Sequence, residues 1–150
     1  MKLTVFVNEK KHIVQTAPDT TLFELLRNLG YLSVKRGCGT SNCGLCTVWL
    51  EGQPVLSCSV LAPRVNEKHI TTQEGVTEKI QELTKFFAAE GAEQCGYCSP
   101  GLLMTVLAMK RELQQPTEAE IKAYLSGNLC RCTGYMSQMR AIQHYLEATS

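Results

Sequence analysis

The sequence predicts an α+β fold in which a β-rich first half is followed by an all-helical second half. Three observations carry this. Apolar residues alternate with period two at the start (Leu3, Val5, Val7), the spacing lengthens to a helical one at Ile80, Leu83, Phe86 and Phe87, and the eight cysteines divide into one quartet per half. A chain of 150 residues has room for one ordinary domain or two small ones. The change of period places a boundary near Glu74-Gly75, giving domains 1–74 and 75–150.

The first strand runs through Leu3, Val5 and Val7, Asn8-Glu9-Lys10-Lys11 reads as a turn, and His12–Thr16 is the return strand. Thr21 and Glu24 form a capping box ahead of Leu22, Leu25, Leu26 and Leu29, with Gly30 as the C-cap. Beyond a cysteine loop, Thr47–Leu50 and Pro54–Cys58 flank Glu51-Gly52-Gln53 as a second hairpin, and His69–Thr72 is a last strand. Two hairpins around one helix predict a small sheet closed over that helix. In the second half a helix passes through Ile80–Phe87, and Ser99-Pro100 supplies an N-cap and first-turn proline for another over Leu102–Leu113. Thr117 and Glu120 open a third that stops near Gly127; Met139, Ile142 and Leu146 mark a fourth. Four helices with two cysteine loops predict a small bundle.

Composition narrows the function. The apolar fraction of 44% and charged fraction of 19% are those of an ordinary globular protein. A net charge of +1 without a basic stripe argues against nucleic acid. No apolar run is long enough for a membrane span, and the N-terminus enters a strand pattern at once instead of a secretory signal. The expected location is cytoplasmic, where cysteines in this number bind metal more readily than they form disulfides.

Cys38, Cys43, Cys46 and Cys58 read C-x4-C-x2-C-x11-C, the plant-ferredoxin spacing for a 2Fe–2S centre. The glycines around them (Gly37, Gly39, Gly44) let the loop approach a cluster and aim N–H groups at sulfur. Cys95, Cys98, Cys130 and Cys132 read C-x2-C-x31-C-x-C. Cys98 precedes a helix start, whose partial positive charge suits an anionic centre. Cys130 and Cys132 would point to opposite sides of a helix, so Asn128–Gly134 is expected to be non-helical. Spacing favours a cluster here, with zinc and unpaired or disulfide cysteines as alternatives. Two oxidised clusters, each about −2 with its thiolates, would take the formal charge from +1 to about −3. Lys35, Arg36, Arg64 and Arg131 lie near the cysteines and either offset that charge or are solvated surface. His12, His69 and His144 are scattered, Trp49 reads as core, and Met104, Met109, Met136 and Met139 as bundle filler. No acid pair, Ser/His pairing or phosphate loop offers substrate chemistry in this chain.

Three stretches together resemble the small iron–sulfur subunit of the molybdenum hydroxylases, the family of xanthine dehydrogenase, aldehyde oxidoreductase, carbon monoxide dehydrogenase and nicotinate dehydrogenase. They are Gly37–Val48, Gln94-Cys95-Gly96-Tyr97-Cys98-Ser99-Pro100-Gly101, and Ser126 to Tyr135 with its Cys130-Arg131-Cys132 triplet. The resemblance implies a plant-ferredoxin-like β-grasp followed by a four-helix bundle, with a 2Fe–2S cluster on each quartet. It implies a large partner holding molybdopterin in dinucleotide form, a medium partner holding FAD, and a hetero-oligomer such as a dimer of heterotrimers. Electrons would run from molybdenum to the bundle cluster, then the ferredoxin-like cluster, then FAD. Gln94 and Cys132 are the positions that, by resemblance, approach the pterin.

The chain departs from the family pattern at Thr40-Ser41-Asn42, where Ser41 stands for a usual glycine, and at Leu45, where alanine is common. It departs again over Gly134–Met139, a stretch expected at a partner surface. The second function class is a free-standing two-cluster ferredoxin acting as a soluble carrier. A third, a zinc-bearing interaction module, predicts a colourless protein without acid-labile sulfide.

Overall fold

The computed structural model describes residues 1–149. Its strands are β1 (Lys2–Val7), β2 (Lys10–Gln15), β3 (Thr47–Leu50), β4 (Gln53–Leu56) and β5 (His69–Thr71). They form one mixed sheet in the order β2-β1-β5-β3-β4, in which β1 and β5 run parallel and the other neighbours antiparallel. Both hairpins turn on two residues of positive φ, Asn8-Glu9 and Glu51-Gly52, the conformation that matches the right-handed twist of paired strands. The turns are therefore shorter than expected: Lys10 and Lys11 belong to β2, and Gln53 to β4.

Helix α1 (Leu22–Asn28) starts on the predicted capping box, with Thr21 and Glu24 bonding reciprocally, and ends at Leu29 before Gly30 at φ +92°. Its Leu22, Phe23, Leu25 and Leu26 are buried against Leu3, Val5, Val7, Val48 and Ile70. Each such side chain contributes roughly 1.5–3 kcal/mol on burial, which holds the cysteine loop between α1 and β3 on a fixed base.

The second half contains α2 (Thr77–Ala89), α3 (Ser99–Glu112), α4 (Glu118–Tyr124) and α5 (Met136–Ala148). Helix α3 is buried on every side from Gly101 to Met109, the pattern of a helix at the centre of its neighbours. Thr117 and Glu120 form the expected second capping box on α4. Cys98, not Ser99, occupies the N-cap of α3, because the Ser99 N–H is already bonded to the Gly96 carbonyl and the Cys98 carbonyl accepts from Leu102. Trp49 of β3 reaches into this helical core: its indole N–H donates to the Met104 carbonyl at 3.0 Å and Arg111 lies 3.9 Å over its ring. Met104, Met109 and Met139 are buried filler as expected, whereas Met136 is 67% exposed. Among the described residues no helix is long and apolar enough to cross a membrane.

Candidate metal centres

Cys43 and Cys46 are buried, Cys58 half-buried and Cys38 exposed. The sequence places Cys58 on the second hairpin's return strand; the structure places it in a tight 3-10 turn, Ser57–Ser59, after β4 ends at Leu56. The cause is Ser57, whose N–H and hydroxyl both donate to the Cys46 carbonyl, at 3.2 and 2.8 Å. That clasp brings the Cys58 sulfur to Cys46. The backbone N–H groups of Thr40 and Asn42 each donate to the Cys38 sulfur at 3.3 Å. Asn42 and then Thr40 thereby lower the Cys38 thiol to about 6, whereas burial pushes Cys46 up to about 11. Ser41 adopts φ +60° with its hydroxyl 3.6 Å from the Cys58 sulfur. The loop thus keeps a left-handed residue where the family has glycine, and the added side chain faces a ligand candidate.

The second quartet collects two loops. Cys95 and Cys98 precede α3; Cys130 and Cys132 lie in the segment 128–134, which is non-helical as their spacing requires. The Thr133 hydroxyl and N–H donate to the Cys130 sulfur at 3.1 and 3.5 Å, and Thr133 Oγ1 accepts from the Tyr135 N–H. Tyr135, at φ +69°, returns its hydroxyl to accept the Cys130 N–H at 2.7 Å. Burial works to raise the Cys130 thiol, but the Thr133 contacts outweigh it and hold it at about 7; burial takes Cys98 up to about 11. The Cys132 and Cys95 sulfurs are 3.5 Å apart, and Cys98 contacts Cys130.

The loops of the two quartets meet. Leu129 N–H donates to the Cys43 carbonyl at 2.9 Å, and Tyr97 hydroxyl to the Arg36 carbonyl at 2.9 Å. Gly101, in the first turn of α3, lies so close to the Gly44 carbonyl that a Cβ there would collide with it. Between the quartets is a narrow space, too small for water, bounded by Cys43, Cys98, Cys130, Leu102 and Gln138. Gln138 is 2% exposed, so this part of the stretch expected at a partner surface faces inward instead. The opposite edge of the second quartet is open: Gln94, Cys95 and Cys132 are all exposed.

Lys35 and Arg36 lie over the Tyr97 and Phe23 rings. The three histidines stand apart from the cysteines, beside Tyr31, Glu9 and Glu90. Ser57, Thr133, Tyr135 and Gln138 are contributors that the spacing of the cysteines does not reveal. For Thr133 the available signal is a hydroxyl three residues after a cysteine, the reach of a local side-chain turn.

The donor set fits iron–sulfur chemistry. Four thiols per group match the ligand count, and the N–H and O–H groups aimed at sulfur stabilise thiolate. Among the described residues no three donors converge as a single ion requires; the sulfurs meet in pairs instead, Cys38 with Cys43, Cys46 with Cys58, Cys98 with Cys130 and Cys95 with Cys132. Two such pairs per group could serve two irons.

Comparison with known proteins agrees. Residues 5–77 match the 2Fe-2S iron-sulfur cluster binding domain family and residues 72–143 the 2Fe-2S binding domain family. The chain is 43% identical over 152 aligned residues to the nicotinate dehydrogenase small FeS subunit of Eubacterium barkeri, covering 97% of this chain and 96% of that one. The chain belongs to the family of small iron–sulfur subunits of the molybdenum hydroxylases. Quinoline 2-oxidoreductase from Pseudomonas putida 86 contains a chain that superposes with a TM-score of 0.90 at 35% identity, over 99% of this chain and 94% of that chain. Aldehyde oxidoreductase from Desulfovibrio gigas superposes at 0.89 with 30% identity over 99% of this chain but only 17% of its own, so the same unit also occurs fused within a longer polypeptide. As a member of this family the protein is the iron–sulfur, electron-transfer component of an oxidoreductase complex. Its architecture is a ferredoxin-like domain followed by a helical region.

Proposed function

We propose that this chain relays electrons within a heteromeric molybdenum hydroxylase, from molybdopterin on a large partner subunit towards FAD on a medium one. Cys38, Cys43, Cys46 and Cys58 hold the first 2Fe–2S cluster, and Cys95, Cys98, Cys130 and Cys132 the second. Each cluster, when bound, accepts and releases one electron at a time. The chain's own residues do the rest. Thr40, Asn42 and Thr133 direct hydrogen bonds at ligand sulfurs. The Leu129-to-Cys43 hydrogen bond joins the residue before one ligand to another ligand in the other quartet, and Leu102 and Gln138 help keep water out of the space between.

In this reading residues 1–74 and 75–150 are the two functional domains, and helices α2 to α5 form a four-helix bundle. Gln94 and Cys132 face the pterin of a dinucleotide cofactor: the Gln94 amide both donates and accepts, and both residues are exposed at the open edge. The assembly is a hetero-oligomer, a dimer of heterotrimers, in the cytoplasm.

The observation that carries the proposal is the meeting of the two cysteine loops across one hydrogen-bonded seam, their sulfurs paired and one edge left open. Purification of the native complex tests it. The expected result is four irons per chain, two distinct paramagnetic signals after dithionite reduction, and co-elution with a molybdenum-containing partner. Elution alone with four irons identifies a free-standing ferredoxin; fewer than two signals overturns the ligand assignment. Gln94→Ala is expected to slow reduction of the clusters by substrate while leaving both signals intact, and an unchanged rate removes Gln94 from the pterin contact.

A further inference from the structure

Gln138 is the anomaly of the second half. It is 2% exposed, and its Oε1 has no hydrogen-bond partner among the described residues. Around it lie Leu102, Leu129, Met139 and Ile142, with Asn128 and Tyr135 as the nearby polar residues. None of them pairs with its Oε1, and an unpaired buried amide oxygen opposes folding. The same side chain stands beside Cys98 and lines the small space shared by Cys43, Cys98 and Cys130.

We infer that Gln138 is a positioning residue for the second centre, donating an amide N–H to the Cys98 sulfur and thereby raising that centre's reduction potential. The inference rests on Cys98 being a ligand. A coordinated thiolate sulfur is only an acceptor, so the amide nitrogen, not the oxygen, must face it. The orphaned oxygen follows from that choice of orientation. Reduction adds negative charge to the centre, so a fixed donor stabilises the reduced form more than the oxidised one. Because the side chain is almost wholly buried, water screens it little. The second centre is thus tuned from the side facing the first quartet, opposite the open edge at Gln94 and Cys132.

The test is a redox titration of the intact complex followed by electron paramagnetic resonance, comparing the natural protein with Gln138→Leu and Gln138→Met. Both variants remove the donor at nearly constant volume. The expected result is that one of the two signals becomes harder to reduce in both variants. The reduced-to-oxidised ratio at fixed potential falls by about twofold to tenfold, the upper figure equalling about 59 mV for one electron. The other signal stays in place, and Gln138→Leu melts at the same or a higher temperature because the orphaned oxygen is gone. Unmoved midpoints in Gln138→Leu protein that retains both signals overturn the role of Gln138 alone. Loss of the cluster from Gln138→Leu overturns it too, in favour of a purely structural residue. Absence of two signals from the natural protein overturns the ligand assignment and this inference with it.

Discussion

The first cysteine loop closes largely on itself, whereas the second exists only where two loops meet. Three of the first four cysteines fall within nine consecutive positions, 38 to 46, and the fourth is brought over by a turn whose serine bonds the Cys46 carbonyl. Backbone N–H groups of that one loop serve the Cys38 sulfur. The second quartet joins Cys95 and Cys98 to Cys130 and Cys132 across a 31-residue gap, and side chains carry more of the site there, with Thr133 on sulfur and Tyr135 bracing the Cys130 N–H. A short loop can supply donors from its own backbone because its conformation is locally determined. A site assembled from distant segments has fewer backbone groups within reach and relies on side chains that also fix the segments to each other.

That contrast can be broken most directly by removing a ligand. Cys46→Ser is expected to remove the first centre, roughly halving the iron, while the second signal persists because its own contacts are untouched; iron analysis and paramagnetic resonance decide it. If both signals vanish, the two sites are a single cooperative unit. Next in size is Gly101→Ala, whose Cβ meets the Gly44 carbonyl at the seam. Overpacking of this kind costs about 1–3 kcal/mol, read as a lower melting temperature, and an unchanged one means that the seam yields.

Ser41→Gly addresses the first loop's strain. A non-glycine residue at φ +60° costs about 1 kcal/mol or more, so thermal denaturation should report a gain of roughly that size, less any contribution of the hydroxyl beside Cys58. A loss of stability would mean that the hydroxyl's contact with sulfur outweighs the backbone strain. The smallest expected effect concerns Glu74, near the junction of the halves, which accepts hydrogen bonds from Ser33 and Thr72. Burial works to raise its carboxyl, but the Ser33 and Thr72 bonds prevail and its pKa lies below the ordinary 4.5. Its stabilisation is therefore complete above pH 4.5 and lost as pH falls through the lowered folded value. Glu74→Gln should flatten that acid limb in a stability-against-pH series, and an unaltered limb assigns it to other carboxylates.

Much of the fold is legible from local chemistry. Both capping boxes, both hairpins, the non-helical Asn128–Gly134 and the cysteine spacings depend on residues a few positions apart, and each stands where the sequence puts it within a residue or two. Cys58 is not on the strand that the sequence suggests, because the clasp between Ser57 and Cys46 spans eleven positions. Gln138 has the sequence signature of a surface residue, since it sits one position before the Met139, Ile142 and Leu146 stripe of α5; only the approach of Cys98 and Leu102 buries it.

By itself, then, the sequence determined the two sets of four thiols, the order of strand and helix, and the family, since ligand spacing and hydrophobic period are properties of neighbouring residues. The tertiary structure alone decided that the two loops share a seam through Leu129 and Cys43, that Gly101 abuts Gly44, that Trp49 of the sheet belongs to the helical core, and which polar groups reach which sulfur. Those are contacts between segments remote along the chain, and their geometry follows from how whole elements pack.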